Sequence, residues 1–187
     1  MVLLSMVLQT HIFSYISRPR VLMMQSLLLS CLLLSFLLFS PPVVAADLDK
    51  GIRAYDAGNY AAAFAEVRPL AERGDAVAQV YLAVMYYNGK GTSRNYDEAL
   101  KWYRLAAKQG YAKAQYNLGV MYYTGQGVPQ DYVRAHVWSN LARRQGVKKV
   151  DALVKAIERK MLNHQINEAF IMALQCIALD FKDCDQW

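Results

Sequence analysis

An internal repeat of 36 residues is the feature of this sequence that most narrows the choice of fold. When residues 74–109 are aligned with residues 110–145, nearly half of the positions carry the same amino acid. The residues that recur 36 positions later are Gly74, Ala76, Ala78, Gln79, Leu82, Val84, Met85, Tyr86, Tyr87, Gly89, Gly91, Tyr96, Ala99, Trp102, Leu105, Ala106 and Gln109. Repeats of this length are typical of solenoids, in which each unit buries its apolar surface only by stacking on its neighbours.

The two copies are flanked by less regular sequence. The residues of a partial copy that precedes them are Tyr60, Ala63, Ala71 and Gly74, which stand 36 positions before Tyr96, Ala99, Ala107 and Gly110. We therefore divide the chain after residue 46 into a partial repeat at 47–73, full repeats at 74–109 and 110–145, and a C-terminal segment at 146–187.

Each copy is predicted to form two helices joined by a loop. In the second copy, Ala114 and Leu118 recur at helical spacing, and residues 124–129 interrupt the pattern with two glycines and a proline. Asp131 can cap the next helix by accepting hydrogen bonds from its free N–H groups, and Gly146 ends that helix. The apolar stripe of this helix consists of Ala135, Trp138, Leu141 and Ala142, and the cap and stop of the first copy are Asn95 and Gly110. The pattern predicts an all-α fold, an α-solenoid of antiparallel helix pairs.

Specific motifs in both copies resemble the Sel-one-like repeat, a relative of the tetratricopeptide repeat. The second copy carries AQYNLGVMY at 114–122, GQGVPQDY at 125–132, and then Ala135 and Trp138. The first copy carries Ala78-Gln79, Leu82, Met85-Tyr86 and KWYRLAA at 101–107. Its departures are Ala83, where the second copy has the family's Gly119, and residues 92–94, where Val-Pro is usual. Over about residues 50–146, the resemblance implies a right-handed superhelix of helix pairs that acts as a protein-binding scaffold.

The first 46 residues differ in composition from the rest of the chain. They contain no Asp or Glu, and their only basic residues are Arg18 and Arg20, which precede an apolar run at 27–39. A cleavage-site motif of small residues that ends at Ala46 completes the pattern of a secretory signal peptide, and cleavage is predicted after Ala46. The alternative is an uncleaved membrane anchor at 21–39. Cleavage predicts an exported chain, periplasmic or secreted, whereas the anchor predicts a domain outside the cytoplasm that contacts the membrane only through this segment.

The C-terminal segment is predicted to form a helical cap on the solenoid. An amphipathic pattern covers residues 147–160, and Asn163 is a candidate N-cap for one more helix. Cys176 and Cys184 are the only cysteines after residue 46, and an even number in an exported chain predicts a disulfide. Such a short loop contributes roughly 2–3 kcal/mol or less to stability. The alternative is a pair of free thiols.

The charge of the exported part is modest. Without Arg18 and Arg20 the chain has 19 basic and 15 acidic residues, a formal charge of +4, so nucleic acid is not expected as a partner. The cluster of basic residues consists of Arg134, Arg143, Arg144, Lys148 and Lys149. This cluster could contact an acidic protein, anionic lipid or an acidic cell-wall polymer, or it could be an ordinary solvated face.

No catalytic constellation, metal site or cofactor motif is recognisable, so we expect a protein that is not an enzyme. H-E-x-x-H and C-x-x-C are absent, and His136, which replaces Leu100 of the first copy, is interpreted as a tolerated helix position. Some cysteine-rich exported relatives of the resembling family have been linked to β-lactam binding or hydrolysis. The serines after residue 46 are Ser93 and Ser139, and neither begins an S-x-x-K motif. A cell-envelope enzyme or binder acting on peptidoglycan or β-lactams is therefore the alternative.

Positions that differ between the copies indicate where a partner could bind. The pairs on one face of the first helix are Val77 and Lys113, Tyr81 and Asn117, and Asn88 and Thr124. In the resembling family, this helix lines the concave side. We therefore hypothesise a non-catalytic exported scaffold that binds a protein through this face, and the alternative is ordinary exposed surface.

Overall fold

A computed structural model describes residues 46–181 and residue 184. The predicted signal peptide, apart from Ala46, lies outside these residues. The helices of the described part are α1 Leu48–Asp56, α2 Tyr60–Glu72, α3 Ala76–Asn88, α4 Tyr96–Lys108, α5 Ala112–Thr124, α6 Tyr132–Arg144, α7 Val150–Glu158 and α8 Asn163–Ala178. There is no strand among residues 46–181, and the predicted all-α fold is confirmed.

Polar side chains cap the helices where the sequence predicted them. The Asn95 side chain accepts hydrogen bonds from the Asp97 and Glu98 backbone N–H groups, and Asp131 accepts one from the N–H of Arg134. The second helices of the two full repeats end two residues before Gly110 and Gly146, both of which have positive φ. Glycine is the residue that adopts this left-handed conformation without strain, so these positions terminate the helices.

The last helix begins differently from the prediction. Asn163 is the first residue of α8 rather than its cap, and Leu162 occupies the N-cap position. The Leu162 backbone N–H donates to the Gln165 side chain at 2.9 Å. The Gln165 backbone N–H donates in turn to the Leu162 carbonyl at 2.9 Å, so the N–H group that a capping side chain at Leu162 would serve is already hydrogen-bonded.

The helices stack as pairs, with α1 on α2, α3 on α4 and α5 on α6. Successive pairs join through α2 against α3 and α4 against α5, while α7 and α8 both pack against α6. Fully buried alanines allow the backbones to approach closely at these contacts: Ala63, Ala78, Ala99, Ala106, Ala114, Ala135 and Ala142. The described residues belong to one compact unit, Ala46–Trp187, whose main hydrophobic core runs from Val67 to Cys184. This unit therefore holds its own core.

The cysteine pair lies at the end of this core. Cys176 in α8 and Cys184 form a disulfide, and both side chains are buried. The bond connects the end of the chain to the last helix. A buried disulfide is common in exported proteins, where the compartment is oxidising.

Each glycine-rich loop packs on the pair before it. Gly91 has φ +74°, and a Cβ at this position would lie 2.3 Å from the backbone oxygen of Tyr60, the first residue of α2. Gly127 has φ +72° and faces Tyr96, the first residue of α4: a Cβ at this position would lie 2.7 Å from the Tyr96 Cβ and 3.1 Å from its backbone oxygen. These loops are therefore contacts between successive repeats as well as connections within each one.

His136 is more than a tolerated helix position, because its side chain is buried and fully hydrogen-bonded. Asn140 Nδ2 lies 2.8 Å from His136 Nδ1, and His136 Nε2 lies 3.3 Å from the Glu158 carboxylate at the end of α7. These contacts fit a neutral ring that accepts from Asn140 and donates from Nε2 to Glu158. Burial lowers the pKa of His136, and Arg143 lowers it slightly, whereas Glu158 acts in the opposite direction.

This arrangement predicts that stability falls in mild acid. The folded-state pKa of His136 lies below its unfolded value of about 6.5. The neutral, buried ring therefore contributes its full stabilisation of the fold above about pH 6.5, and this contribution is lost as the pH falls from there toward the folded-state pKa. Urea unfolding at pH 7.5 and pH 5 should show a smaller difference for His136→Leu, which restores the residue of the first copy, than for the wild type. His164→Gln on the exposed part of α8 is the control. An unchanged pH dependence in His136→Leu would contradict this assignment.

Candidate partner-binding groove

The first helices of successive pairs form a groove of about 410 Å³. It lies between α1, α3 and α5 and extends to the loop before α7. Its lining residues are Tyr55, Val77, Val80, Tyr81, Val84, Tyr111, Lys113, Tyr116, Asn117, Val147 and Lys149. The volume falls within the range of about 300–1,000 Å³ that is usual for ligand sites. We call this feature the tyrosine groove.

Helix periodicity explains why these residues meet. Val77, Tyr81 and Val84 are spaced by four and three residues in α3, so they lie on one side of that helix. Lys113 and Asn117 in α5 are four residues apart, as Val77 and Tyr81 are in α3. The opposite sides of both helices carry the buried alanines and leucines of the core. The repeat therefore presents equivalent positions of two adjacent helices to the same groove.

Tyrosine rings make up the apolar walls at the α1 end of the groove. The rings of Tyr55 and Tyr81 meet edge to face, with 5.5 Å between centroids. Burial raises the pKa of Tyr81, and the nearby Asp56 carboxylate raises it further. Lys90 Nζ lies 5.2 Å from the centre of the Tyr55 ring and 4.6 Å from that of Tyr60. These contacts hold Tyr55 in place, so the wall is formed before any ligand binds.

A second, smaller groove continues from the first. It has a volume of about 300 Å³ and shares Val84, Tyr116 and Asn117 with the tyrosine groove. Asn88 lines this extension, and its side-chain amide donates to the Val84 carbonyl at 2.8 Å. Thr124 lines neither groove, and its hydroxyl donates to the Val120 carbonyl at 2.9 Å.

The structure therefore gathers five of the six predicted partner-binding positions. The residues that line the tyrosine groove include Val77, Tyr81, Lys113 and Asn117, and Asn88 lines its extension. The predicted face is thus built into a cavity.

The basic residues divide between two places. Lys149 lines the tyrosine groove together with Lys113, and the exposed Lys148 is its neighbour in sequence. Arg143 and Arg144 are exposed in the last turn of α6. The remaining member of the predicted cluster, Arg134, does not belong with them: it is in the first turn of α6, and its guanidinium lies 3.0 Å from the Asp131 carboxylate. Arg143 lies nine residues after Arg134 in this helix, about 14 Å further along the axis.

Sequence comparison of the copies missed several residues of the groove wall. Tyr55 precedes the full repeats and Val147 follows them, so the alignment of the two copies could not select either one. Tyr111 and Tyr116 stand where the first copy has Asp75 and Val80, and that difference was a usable signal. Their aromatic character makes them as important to the wall as the predicted positions.

Possible metal ligands and the Ser139 side chain bear on the enzymatic alternative. Residues 46–181 and 184 contain no group of three His, Cys, Asp or Glu side chains that could hold a metal ion. The Ser139 hydroxyl is buried next to Gly119, where a Cβ would approach it to 2.4 Å, so a substrate cannot reach it without a rearrangement. In the same part of the chain, the helices lack the length and apolar character of a membrane span.

The stacked pairs and their groove define a helical-repeat scaffold, and comparison with known proteins gives its family. The family model for the Sel1 repeat matches residues 76–111 and 112–147. This chain is 30% identical to the structure of c5321, a protective antigen present in uropathogenic Escherichia coli strains that displays an SLR fold, with a TM-score of 0.65. It is 32% identical to a Sel1 repeat protein from Oxalobacter formigenes, with a TM-score of 0.55.

The chain belongs to the Sel1-like repeat family, as its motifs predicted. The similarity to c5321 covers 68% of this chain and 28% of that one, and the similarity to the Oxalobacter protein covers 58% and 44%. The chain therefore spans less than half the length of either relative. Among curated proteins, no significant match was found. Sel1 repeat domains generally mediate protein–protein interaction.

Proposed function

We propose that this protein is a non-catalytic, exported scaffold that binds another protein in the tyrosine groove. The observation that carries the proposal is the groove itself, whose wall combines four tyrosines and four valines on the first helices of the pairs and on flanking loops. Tyrosine contributes a large contact area at low cost in side-chain entropy, and it is enriched at protein interfaces. The general use of Sel1 repeats in protein interaction supports the same conclusion.

Export is supported by two separate features. The first 46 residues have the composition of a signal peptide, and the disulfide between Cys176 and Cys184 suits an oxidising compartment. An enzymatic role in the cell envelope has no comparable support, since Ser139 is buried and no metal cluster exists among the described residues.

An affinity capture from cell-envelope extract tests the proposal. One bait is the unit 46–187, and the second carries Tyr81→Glu and Asn117→Arg in the groove. The matched control carries Ile171→Glu and Asn167→Arg, which make the same charge changes at exposed positions of α8. Far-UV circular dichroism and urea unfolding establish that all three baits are folded.

We expect a protein that is retained by the wild-type and control baits and lost from the groove variant. Capture of the same set of proteins by all three baits would contradict binding in the groove. Capture of nothing by any bait would contradict the scaffold function in this compartment.

A further inference from the structure

We infer that the tyrosine groove takes an acidic polypeptide segment, which places apolar side chains against the tyrosines and carboxylates beside Lys113 and Lys149. The inference rests on the proposed function and specifies the chemistry of the partner. It starts from the distribution of charge around the groove, which the sequence alone did not reveal.

The charged residues that line the groove are both cationic. Lys113 projects from the first turn of α5, and Lys149 precedes α7. No Asp or Glu occurs among the described lining residues. Lys148 is exposed beside Lys149, and two more exposed basic residues end α6, so positive charge continues beyond this end of the groove. Complementary charge at an interface favours association with an acidic partner and disfavours a basic one.

The opposite end of the groove has a different character. Asp56 is exposed at the end of α1, close enough to Tyr81 to raise the pKa of its hydroxyl. Lys90 lies over the Tyr55 ring at the same end, so the charges near the α1 end are of both signs and none of them lines the groove, whereas the lining at the α5–α7 end is cationic. This difference between the two ends favours a bound segment whose acidic residues lie toward α7, beside Lys113 and Lys149.

The apolar wall separates a polypeptide from the other acidic partners that a basic cluster could attract. The lipid headgroups of a flat bilayer cannot follow the wall of a recessed groove, and a cell-wall polysaccharide has few apolar groups for four tyrosines and four valines. A peptide segment supplies both apolar side chains and carboxylates, and a groove of about 410 Å³ accommodates side chains rather than a whole domain.

Selection from a phage library of random peptides tests this inference on the unit 46–187. The groove variants are Lys113→Glu with Lys149→Glu, and the milder Lys113→Gln with Lys149→Gln. The control is Lys155→Glu with Lys160→Glu, which makes the same change of net charge at exposed positions outside the groove. Urea unfolding confirms that each variant is folded, and the Gln pair keeps the test usable if the Glu pair is unstable.

We expect the wild type and the control to enrich peptides that combine Asp or Glu with Leu, Ile, Phe or Tyr. The affinity of a selected peptide, measured by fluorescence anisotropy, should fall about tenfold or more in the Glu pair and decrease with added salt. The Glu pair should instead enrich basic peptides.

Other results would overturn the inference. Enrichment of neutral or basic peptides by the wild type, or equal loss of affinity in the control, shows that the lysines do not select the ligand. Binding to phosphatidylglycerol vesicles that depends on Lys113 and Lys149, without any peptide selection, assigns the site to lipid. A groove-dependent protein captured from extract together with a failed peptide selection rejects the acidic segment but leaves the proposed function standing.

Discussion

Replacing Gly91 with alanine is expected to destabilise the protein by about 2–4 kcal/mol, because two separate costs add at this position. Its φ of +74° is unfavourable for any residue with a Cβ, and that Cβ would lie 2.3 Å from the Tyr60 backbone oxygen. A backbone oxygen at the start of a helix cannot move aside in the way a flexible side chain can. Urea unfolding followed by far-UV circular dichroism measures the loss.

Gly58→Ala is the matched control for this prediction. Gly58 has φ +79°, almost the same as Gly91, but nothing lies within 4 Å of its Cβ position. Its substitution therefore carries the conformational cost alone, about 1–2 kcal/mol. Equal losses in Gly58→Ala and Gly91→Ala would show that the contact with Tyr60 adds nothing to stability.

Replacing Trp138 with alanine is expected to cost about 3–5 kcal/mol, the usual range for a large aromatic side chain removed from a core. Trp138 is 0% exposed and belongs to the main hydrophobic core between α6 and its neighbours. Trp138→Phe should cost only about 1 kcal/mol, because a large ring remains and the buried indole N–H has no hydrogen-bond partner to lose. Thermal or urea unfolding of the two variants checks the difference.

The equivalent residue of the first copy provides the comparison. Trp102 is 8% exposed, its indole N–H donates to Glu98 at 3.1 Å, and Lys101 lies over its ring. Trp102→Ala should therefore be less damaging than Trp138→Ala by at least about 1 kcal/mol, since water reaches part of the vacated space. A larger loss of unfolding free energy in Trp102→Ala than in Trp138→Ala would contradict the prediction that the more deeply buried tryptophan contributes more to stability.

The 36-residue repeat made most of the fold predictable, because units of constant length that must stack to bury their apolar surface leave few alternatives to a solenoid. The caps at Asn95 and Asp131 and the stops at Gly110 and Gly146 follow from local hydrogen bonding and positive φ. The start of α8 was harder to predict. There the expected cap, Asn163, is the first residue of the helix, and the Leu162 N–H donates to the Gln165 side chain.

The groove was only partly predictable, and the reason is geometric. Differences between the copies identified Tyr81 and Asn117, which lie on equivalent helices. Tyr55 and Val147 come from outside the two copies and reach the groove only because α1 and the loop before α7 stack on the repeats. The burial of His136 depends in the same way on α7, whose Glu158 meets the ring from another helix. Contacts of this kind are long-range and leave no local pattern.

The loop contacts at Gly91 and Gly127 tie each helix pair to the one before it. A solenoid whose units touch only through helix faces can fray one unit at a time, because its stability is a sum of neighbour terms. Here the loop of one unit packs on the opening residue of the second helix in the previous unit, so opening one pair also disturbs the next. Cooperativity across the stack then protects the groove, since its walls come from three successive pairs. A ligand that bridges those walls would strengthen the same coupling and raise the melting temperature of the whole domain at once.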